Sequence, residues 1–179
     1  MKSILRVVFL LCFAAVSACG GGSLSVHDGD TFHRDGRAYR LWGIDAPELD
    51  QPWGIAAREV LRQLLTRGAV ETTRNGRSWS REVVLCEAGG VDVSLELLKM
   101  GLAWYLPEFA PKRRDYREAE AEARRCRRGL WSDKNPVAPS EWRRRRKTHP
   151  VPDDWCFSNC RRWTWNLIGV ARFFRRMAG

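Results

Sequence analysis

The feature that most constrains the fold of this sequence is Asp35-Gly36, a dipeptide between two runs of strand-forming residues. Asp-Gly favours a tight two-residue hairpin turn, because both residues tolerate a positive φ. The run before it, 24–33, is interrupted by Asp28-Gly29-Asp30, and the run after it covers 37–44. The sequence therefore predicts an antiparallel hairpin built from these two runs.

A mixture of strands and helices is predicted beyond this hairpin. Two further strands are predicted over 69–73 and 81–87, joined through Asn75-Gly76. Helical spacing of apolar residues predicts three helices, over 53–67, 92–101 and 114–128. About five strands with three helices indicate an α+β domain, with the helices packed on a small sheet or barrel. Spacing alone does not choose the barrel.

Acidic residues follow two of the predicted strands. Asp28 and Asp30 interrupt the first strand, and Asp45 and Glu48 follow the second. If the strands pair through the Asp35-Gly36 turn, these carboxylates converge at one end of the sheet. Clustered carboxylates repel one another unless a cation lies between them, and oxygen ligands suit Ca²⁺ or Mg²⁺. The alternative is ordinary turn chemistry, in which Asp and Gly are common.

The segments that contain these residues closely resemble the staphylococcal nuclease family when they are taken together. The matching segments are VHDGDT (26–31) and YRLWGIDAPE (39–48), and the later segments VSLELLKMGLAW (93–104) and EAEAEARRCRRGLW (118–131) resemble two helices of that family. The resemblance covers about residues 24–142. It implies an OB-fold five-stranded β-barrel with three packed helices. It also implies a Ca²⁺-dependent, sugar-nonspecific endonuclease that hydrolyses DNA and RNA.

The roles of the family's site residues carry over to matching positions of this sequence. Asp30 and Asp45 match the two carboxylates that hold Ca²⁺, and Ala46 matches a residue that ligates through its backbone carbonyl. Glu48 matches the general base that orients or deprotonates the attacking water. Arg40 matches one of two arginines that bind the scissile phosphate. These residue types suit attack on a phosphodiester, because a cation and planar guanidinium groups stabilise the charge that develops on the phosphate oxygens.

The second phosphate-binding arginine has two candidates. Counting back without a gap from the well-matched Val93 places Arg81 at this position, although Ser80 stands where the family usually has Gly. Arg77 takes the role if the register of the hairpin is shifted. Both arginines can also be solvated charges on that hairpin.

Two aromatic residues are candidates for stacking on a nucleic-acid base. Tyr105 is the stronger candidate for substrate binding and Trp79 the weaker one, since exposed aromatic rings stack on bases. The alternative for both is packing within the protein. Trp104 and Trp131 are expected in the core.

The formal net charge of +10 favours a polyanionic partner such as DNA or RNA. A non-catalytic module that binds nucleic acid or protein on the same fold is the main alternative to an enzyme. The presence of Asp30, Arg40, Asp45 and Glu48 favours the enzyme, because related modules that lack the metal carboxylates do not cleave. We expect the chain to act as a monomer.

Residues 1–18 have the composition of a signal peptide. Lys2 and Arg6 precede an apolar run over 7–16, and Ser17-Ala18-Cys19 follows it. The sequence around Cys19 fits a lipoprotein cleavage site and fits simple cleavage after Ala18 as well. We therefore expect an exported protein that is secreted, periplasmic or lipid-anchored through Cys19, with a short spacer over 19–23.

Residues 143–179 are predicted to form a basic C-terminal tail. Apolar residues recur there at helical spacing, at Trp163, Leu167, Val170, Phe174 and Met177. Arginines occupy the opposite face, which favours a helix that binds an anionic membrane surface. Docking of this helix on the barrel and added affinity for DNA are the alternatives. The sequence leaves open how Cys86, Cys126, Cys156 and Cys160 pair.

Overall fold

The hairpin predicted around Asp35-Gly36 is present in the computed structural model, which describes residues 23–148. Strand β1 (Leu24–Val26) pairs with β2 (Thr31–Arg34), and β2 pairs antiparallel with β3 (Arg37–Leu41). Asp35 and Gly36 form the turn with φ of 54° and 75°, as a two-residue hairpin requires. This turn sets the register that places Thr31 opposite Arg40.

The remaining strands extend this sheet and form a second, smaller one. They are β4 (Ile44–Asp45), β5 (Val70–Ser78), β6 (Arg81–Ala88), β7 (Val91–Asp92) and β8 (Trp104–Tyr105). The larger sheet has the order β1-β2-β3-β6-β5, with β7 paired to β6, and only its β3–β6 pair is parallel within residues 23–148. The smaller sheet joins β4 to β8.

Three helices lie where the sequence predicts them. They are α1 (Gly54–Leu65), α2 (Val93–Lys99) and α3 (Arg114–Arg125). Together with the mixed sheet they confirm the predicted α+β class and are consistent with an OB-fold barrel. The helices and sheet share one apolar core, whose largest fully buried side chains include Phe32, Leu41, Ile44, Leu61, Leu97 and Tyr116.

A fourth helix was not predicted. A short 3₁₀ turn (Gly129–Ser132) is followed by α4 (Pro139–Thr148). The predicted domain boundary at residue 142 falls inside α4, so residues 143–148 continue the folded domain. Proline fits the first position of a helix, and an ion pair of 2.6 Å between Glu141 and Arg145 supports the next turn. The four consecutive arginines at 143–146 show no apolar residues at helical spacing, so the sequence pattern did not predict this helix.

The turn between β5 and β6 differs from the prediction. Strand β5 continues past Asn75-Gly76, and the connection is made by Trp79-Ser80 instead. The register shifts between Arg74 and Gly76, whose φ is 147°, so Asn75-Gly76 forms a bulge within the strand. Asn75-Gly76 is therefore a bulge and not a turn, because β5 pairs with β6 on both sides of it.

Two cysteines lie within the described part of the chain, and both are free thiols. Cys86 is buried in the core, whereas Cys126 is exposed at the end of α3. Cys156 and Cys160 lie outside the described residues, as do the predicted signal peptide and the tail beyond Thr148. No helix within residues 23–148 combines the length and apolar character needed to cross a bilayer.

Candidate active site

Two strand ends deliver the candidate metal carboxylates. Asp30 immediately precedes β2, and Asp45 is the last residue of β4, where it is paired with Trp104 of β8. The turn before β2 is ordered by Asp28, whose Oδ1 accepts a hydrogen bond of 3.0 Å from the backbone N–H of Asp30. Asp30 and Asp45 are both buried. The backbone that carries the two carboxylates is therefore fixed by strand pairing in the two sheets.

Arg40 on β3 joins these two carboxylates. Its Nη1 donates to Asp30 Oδ1 at 3.0 Å, and its Nη2 donates to Asp45 Oδ1 at 2.7 Å. The Arg40 side chain is only 18% exposed. The hairpin register makes this possible, since β3 places Arg40 opposite Thr31, the residue after Asp30. Asp30 and Asp45 therefore converge as predicted, although Asp45 lies on the smaller sheet and not at the end of the same sheet.

The electrostatics of Asp30 show that negative charge is crowded here. The pKa of Asp30 is raised to about 7, chiefly because the carboxyl is buried and also because Asp28 and Asp45 lie nearby, while Arg40 opposes the shift. The backbone N–H of Ala46 donates to Asp30 Oδ2 at 3.1 Å and also favours the ionised form. Ionised carboxylates in such a site are stabilised by added positive charge.

The structure distinguishes the two candidates for the second arginine. Arg81, at the start of β6, donates from Nη1 to Thr31 Oγ1 at 3.1 Å. That hydroxyl in turn donates to Asp30 Oδ1 at 2.9 Å, so a chain of hydrogen bonds links Arg81 to the carboxylates. Arg77 is exposed on β5 and lies opposite Glu82. Arg81 is therefore the arginine that the fold brings to this site.

Glu48 lies on the loop between β4 and α1. The loop is held against the start of α1, where Gly54 packs so closely on the Glu48 carbonyl that a side chain at 54 would not fit. The backbone N–H of Glu48 donates to Gln51 Oε1 at 3.2 Å, which closes a turn of the loop. The Glu48 side chain is 28% exposed, so it is accessible to water beside the buried carboxylates.

Arg143, which no sequence motif indicates, also lies in the site and contacts both Asp45 and Glu48. Arg143 of α4 donates from Nη1 to Glu48 Oε1 at 2.7 Å and to Asp45 Oδ1 at 3.2 Å, and from Nη2 to Asp45 Oδ2 at 3.0 Å. The sequence offers only a weak signal for it, four successive arginines at 143–146. Nothing in that run indicates which arginine faces the site.

The two candidate stacking residues have opposite environments. Tyr105 is only 8% exposed, its ring packs edge-on against Tyr116, and its hydroxyl donates to the Ala110 carbonyl at 2.6 Å. A stacking ring must expose one face, so the predicted substrate-binding role of Tyr105 is not supported, and the packing alternative holds. Trp79 is 93% exposed at the tip of the β5–β6 hairpin. Trp131 is buried and Trp104 packs against it, as expected of core residues.

The residues present fit a hard divalent cation with few protein ligands. Within residues 23–148, no three or more His, Cys, Asp or Glu side chains are grouped so that they could hold a metal ion. Asp30 and Asp45 are nevertheless held together by Arg40, and Ala46 lies against Asp30. Two carboxylates, a backbone carbonyl and water form a ligand set of oxygen atoms that Ca²⁺ or Mg²⁺ accepts.

Comparison with known proteins agrees with this arrangement. Residues 38–133 match the family model described as staphylococcal nuclease homologue. A protein of Haemophilus influenzae named "Uncharacterized endonuclease" is 31% identical over 163 residues, which cover 85% of this chain and 91% of that protein. "Micrococcal nuclease" of Shigella flexneri is 33% identical over 156 residues, which cover 79% of this chain and 90% of that protein. "Probable staphylococcal-like nuclease CAN2" of rice (Oryza sativa subsp. japonica) is 32% identical over 132 residues, which cover 73% of this chain and 35% of that protein.

The matched region contains Arg40, Asp45, Glu48 and Arg81, and the relatives from Haemophilus and Shigella match over most of their length. The chain belongs to the staphylococcal nuclease family.

Proposed function

We propose that this chain is a Ca²⁺-dependent endonuclease that hydrolyses the phosphodiester bonds of DNA and RNA. Endonuclease activity follows from the family and from its relatives, and the cation and the roles of single residues are our proposal. The observation that carries the proposal is the guanidinium of Arg40, which bridges the buried Asp30 and Asp45 at 3.0 and 2.7 Å. This arrangement holds two acidic oxygen ligands and a phosphate-binding group in one place.

Asp30, Asp45 and the backbone carbonyl of Ala46 would hold the cation. The raised pKa of Asp30 supports this assignment, because it reflects a buried carboxylate whose charge lacks full compensation. When bound, Ca²⁺ supplies positive charge that stabilises the developing negative charge on the phosphate oxygens.

Arg40 and Arg81 bind and orient the phosphate. A guanidinium has five N–H donors, and Arg40 uses only two of them on Asp30 and Asp45. The other N–H groups are available for phosphate oxygens, which they contact in the planar fork that lysine lacks. Arg81 is held by Thr31 Oγ1, which itself bonds to Asp30, and likewise keeps further donors.

Glu48 accepts the proton of the attacking water. Its carboxylate lies beside the carboxylate of Asp45, since Arg143 Nη1 bonds to both side chains. It is also more exposed than Asp45, so water can reach it. A positioned acid–base group of this kind contributes about 10²–10⁴-fold to the rate.

The experiment is digestion of plasmid DNA and of single-stranded RNA by the purified protein, with Ca²⁺ or with EGTA. We expect Ca²⁺-dependent cleavage of both substrates. Glu48→Gln is expected to lower kcat by at least ~10²-fold while the affinity for DNA is retained. The matched control is Glu108→Gln, because Glu108 is exposed and its substitution should leave kcat unchanged. An unchanged kcat for Glu48→Gln would remove Glu48 from the mechanism.

The same experiment separates the enzyme from a non-catalytic module on this fold. Such a module would bind DNA but would not cleave it under either condition. Full cleavage in EGTA would instead contradict the proposed dependence on Ca²⁺.

Export is also proposed, on the basis of the N-terminal sequence. Lys2, Arg6 and the apolar run over 7–16 support a signal peptide. Mass spectrometry of the mature N-terminus tests this proposal. A diacylglyceryl group on Cys19 would identify a lipoprotein, a free Cys19 would identify simple secretion, and a retained Met1 would contradict both.

A further inference from the structure

Helix α4 places a guanidinium between a candidate metal ligand and the candidate general base. Both Nη atoms of Arg143 bond to Asp45, at 3.2 and 3.0 Å, and Nη1 also bonds to Glu48 Oε1 at 2.7 Å. The Arg143 side chain is 41% exposed, so one side of it faces solvent. These three hydrogen bonds join residues that lie 95 or more positions apart in the chain.

Separate contacts dock α4 and the segment before it on the loop that carries Glu48. Trp142 Nε1 donates to Asp50 Oδ1 at 3.3 Å, and Arg146 forms an ion pair of 3.0 Å with the other oxygen of Asp50. Gln51 Nε2 donates to the Val137 carbonyl at 2.6 Å, just before the helix begins. The loop and the helix are therefore held together at several points. These contacts fix the position of α4, and so the position of Arg143 beside Asp45 and Glu48.

We propose that Arg143 is a positioning residue of this nuclease, acting by holding the Glu48 carboxylate in the orientation that accepts a proton from water. The inference rests on the role of Glu48 proposed above. Glu48 lies on a loop and its side chain has several rotatable bonds, so an unrestrained carboxylate samples many orientations. A charge-assisted hydrogen bond from a guanidinium that is itself fixed on Asp45 removes most of them.

The planar fork of arginine is needed for this role. The Arg143 guanidinium spans both oxygens of Asp45 and one oxygen of Glu48. A lysine ammonium at this position is a point charge, which can contact one carboxylate but cannot hold both with fixed geometry. Arg143→Lys should therefore retain the charge of α4 and still lose most of the positioning.

The chain offers a matched control in the next residue. Arg144 belongs to the same helix and carries the same charge, but it is 77% exposed and lies 3.9 Å from Glu141, away from the carboxylates of the site. Arg144→Ala removes the same side chain and leaves the contacts with Asp45 and Glu48 in place.

The test is a double-mutant cycle measured on the full chain, with steady-state cleavage of a short single-stranded DNA. We expect Arg143→Ala to lower kcat by roughly 10- to 100-fold with KM changed less than about threefold, as the loss of a positioned base predicts. Arg143→Lys should recover only a small part of the rate, and Arg144→Ala should match the wild type. In a Glu48→Gln background, Arg143→Ala should cost less than about threefold, because the group that it positions is already inactive.

Each contrary outcome is distinct. An equal loss of kcat with and without the Glu48 carboxylate would show that Arg143 does not act through Glu48. A raised KM with unchanged kcat would make it a substrate-binding residue. If Arg143→Ala unfolds, the same cycle is run with Arg143→Lys, and a wild-type rate for a folded Arg143→Lys protein would overturn the proposal. A fully active Glu48→Gln protein would instead overturn the proposed function of Glu48.

Discussion

The candidate site consists of two groups that the fold holds in different ways. Asp30, Arg40 and Asp45, the strand group, are buried side chains on or beside paired strands. Glu48 and Arg143, the loop–helix pair, are 28% and 41% exposed and come from a loop and a helix that touch through side chains. Strand pairing fixes the backbone of the first group. In the second, the loop of Glu48 is held by local contacts with Gln51 and Gly54, and its side chain meets Arg143 only because α4 docks on that loop.

This difference teaches which properties of the enzyme depend on which part of the chain. The backbone of the strand group is set by strand pairing, that of Asp30 and Arg40 by the β2–β3 hairpin and that of Asp45 by the β4–β8 pair. The loop–helix pair depends on a helix whose residues are far from the loop in the sequence. We therefore expect substitutions in the strand group to abolish catalysis, and changes around the loop–helix pair to reduce it in steps.

The largest effect is expected from the strand group. Asp45→Asn or Asp30→Asn should lower cleavage by at least ~10³-fold and weaken Ca²⁺ binding, because each removes a charged oxygen ligand. Calorimetric titration with Ca²⁺ and cleavage of plasmid DNA are the measurements. Asp35→Asn is the control, since Asp35 is exposed and asparagine tolerates the positive φ of 54° at the turn. Full activity of either site variant in EGTA would contradict the assignment of the metal ligands.

A smaller effect is expected at the edge of the strand group. Arg81→Ala should lower kcat/KM by roughly 10²-fold, because it removes a donor that stabilises the phosphate in the transition state. Arg77→Ala is the matched comparison and should cost less than about fivefold, since Arg77 is exposed and lies opposite Glu82. If Arg77→Ala proved the more damaging, Arg77 and not Arg81 would bind the phosphate.

A modest effect is expected at the hairpin tip. Trp79 is 93% exposed and stands two residues before Arg81, so we expect its ring to be within reach of a nucleotide next to the phosphate that Arg81 is proposed to bind. Stacking on an unpaired base contributes about 1 kcal/mol or more, so Trp79→Ala should weaken single-stranded DNA binding roughly fivefold or more. Fluorescence anisotropy with a labelled oligonucleotide measures this change. Phe109→Ala, at a ring that is 62% exposed, is the control, and an equal loss in both variants would exclude specific stacking by Trp79.

The smallest effect on catalysis is expected from the residues beyond α4. A chain that ends at Lys147 retains Arg143 and the contacts of α4 with Asp50, so its cleavage rate should stay within about twofold of the wild type. It should lose binding to vesicles of phosphatidylcholine and phosphatidylglycerol, because it lacks the predicted basic amphipathic helix. Vesicle co-sedimentation measures this loss.

Each other outcome of that truncation has a clear meaning. Unchanged vesicle binding would exclude the tail as the membrane element. A lowered temperature of unfolding would indicate that the tail docks on the barrel, and a weaker affinity for DNA would indicate a role in substrate binding.

Local sequence determined the Asp30–Arg40 half of the strand group, whereas Asp45 is placed by the pairing of β4 with the distant strand β8. Asp35-Gly36 predicts its own turn, the turn sets the register of β2 and β3, and that register brings Arg40 beside Asp30. Three helices were predicted for a similar reason, since their apolar residues recur at helical spacing. The turn at Trp79-Ser80 was missed, because the stronger local signal of Asn75-Gly76 was absorbed as a bulge when β5 paired with β6.

Only the tertiary structure shows that Arg143 contacts Glu48 and that Tyr105 is buried in the core. The sequence presents four consecutive arginines at 143–146, and the phase and docking of α4 select Arg143 to face Glu48, which lies 95 positions earlier. Tyr105 likewise matches a candidate stacking residue in sequence, but its hydroxyl bonds to Ala110 within the core. Turns and helices are chosen by interactions between near neighbours in the chain. Contacts between distant segments depend on how whole elements pack, which no short stretch of sequence specifies.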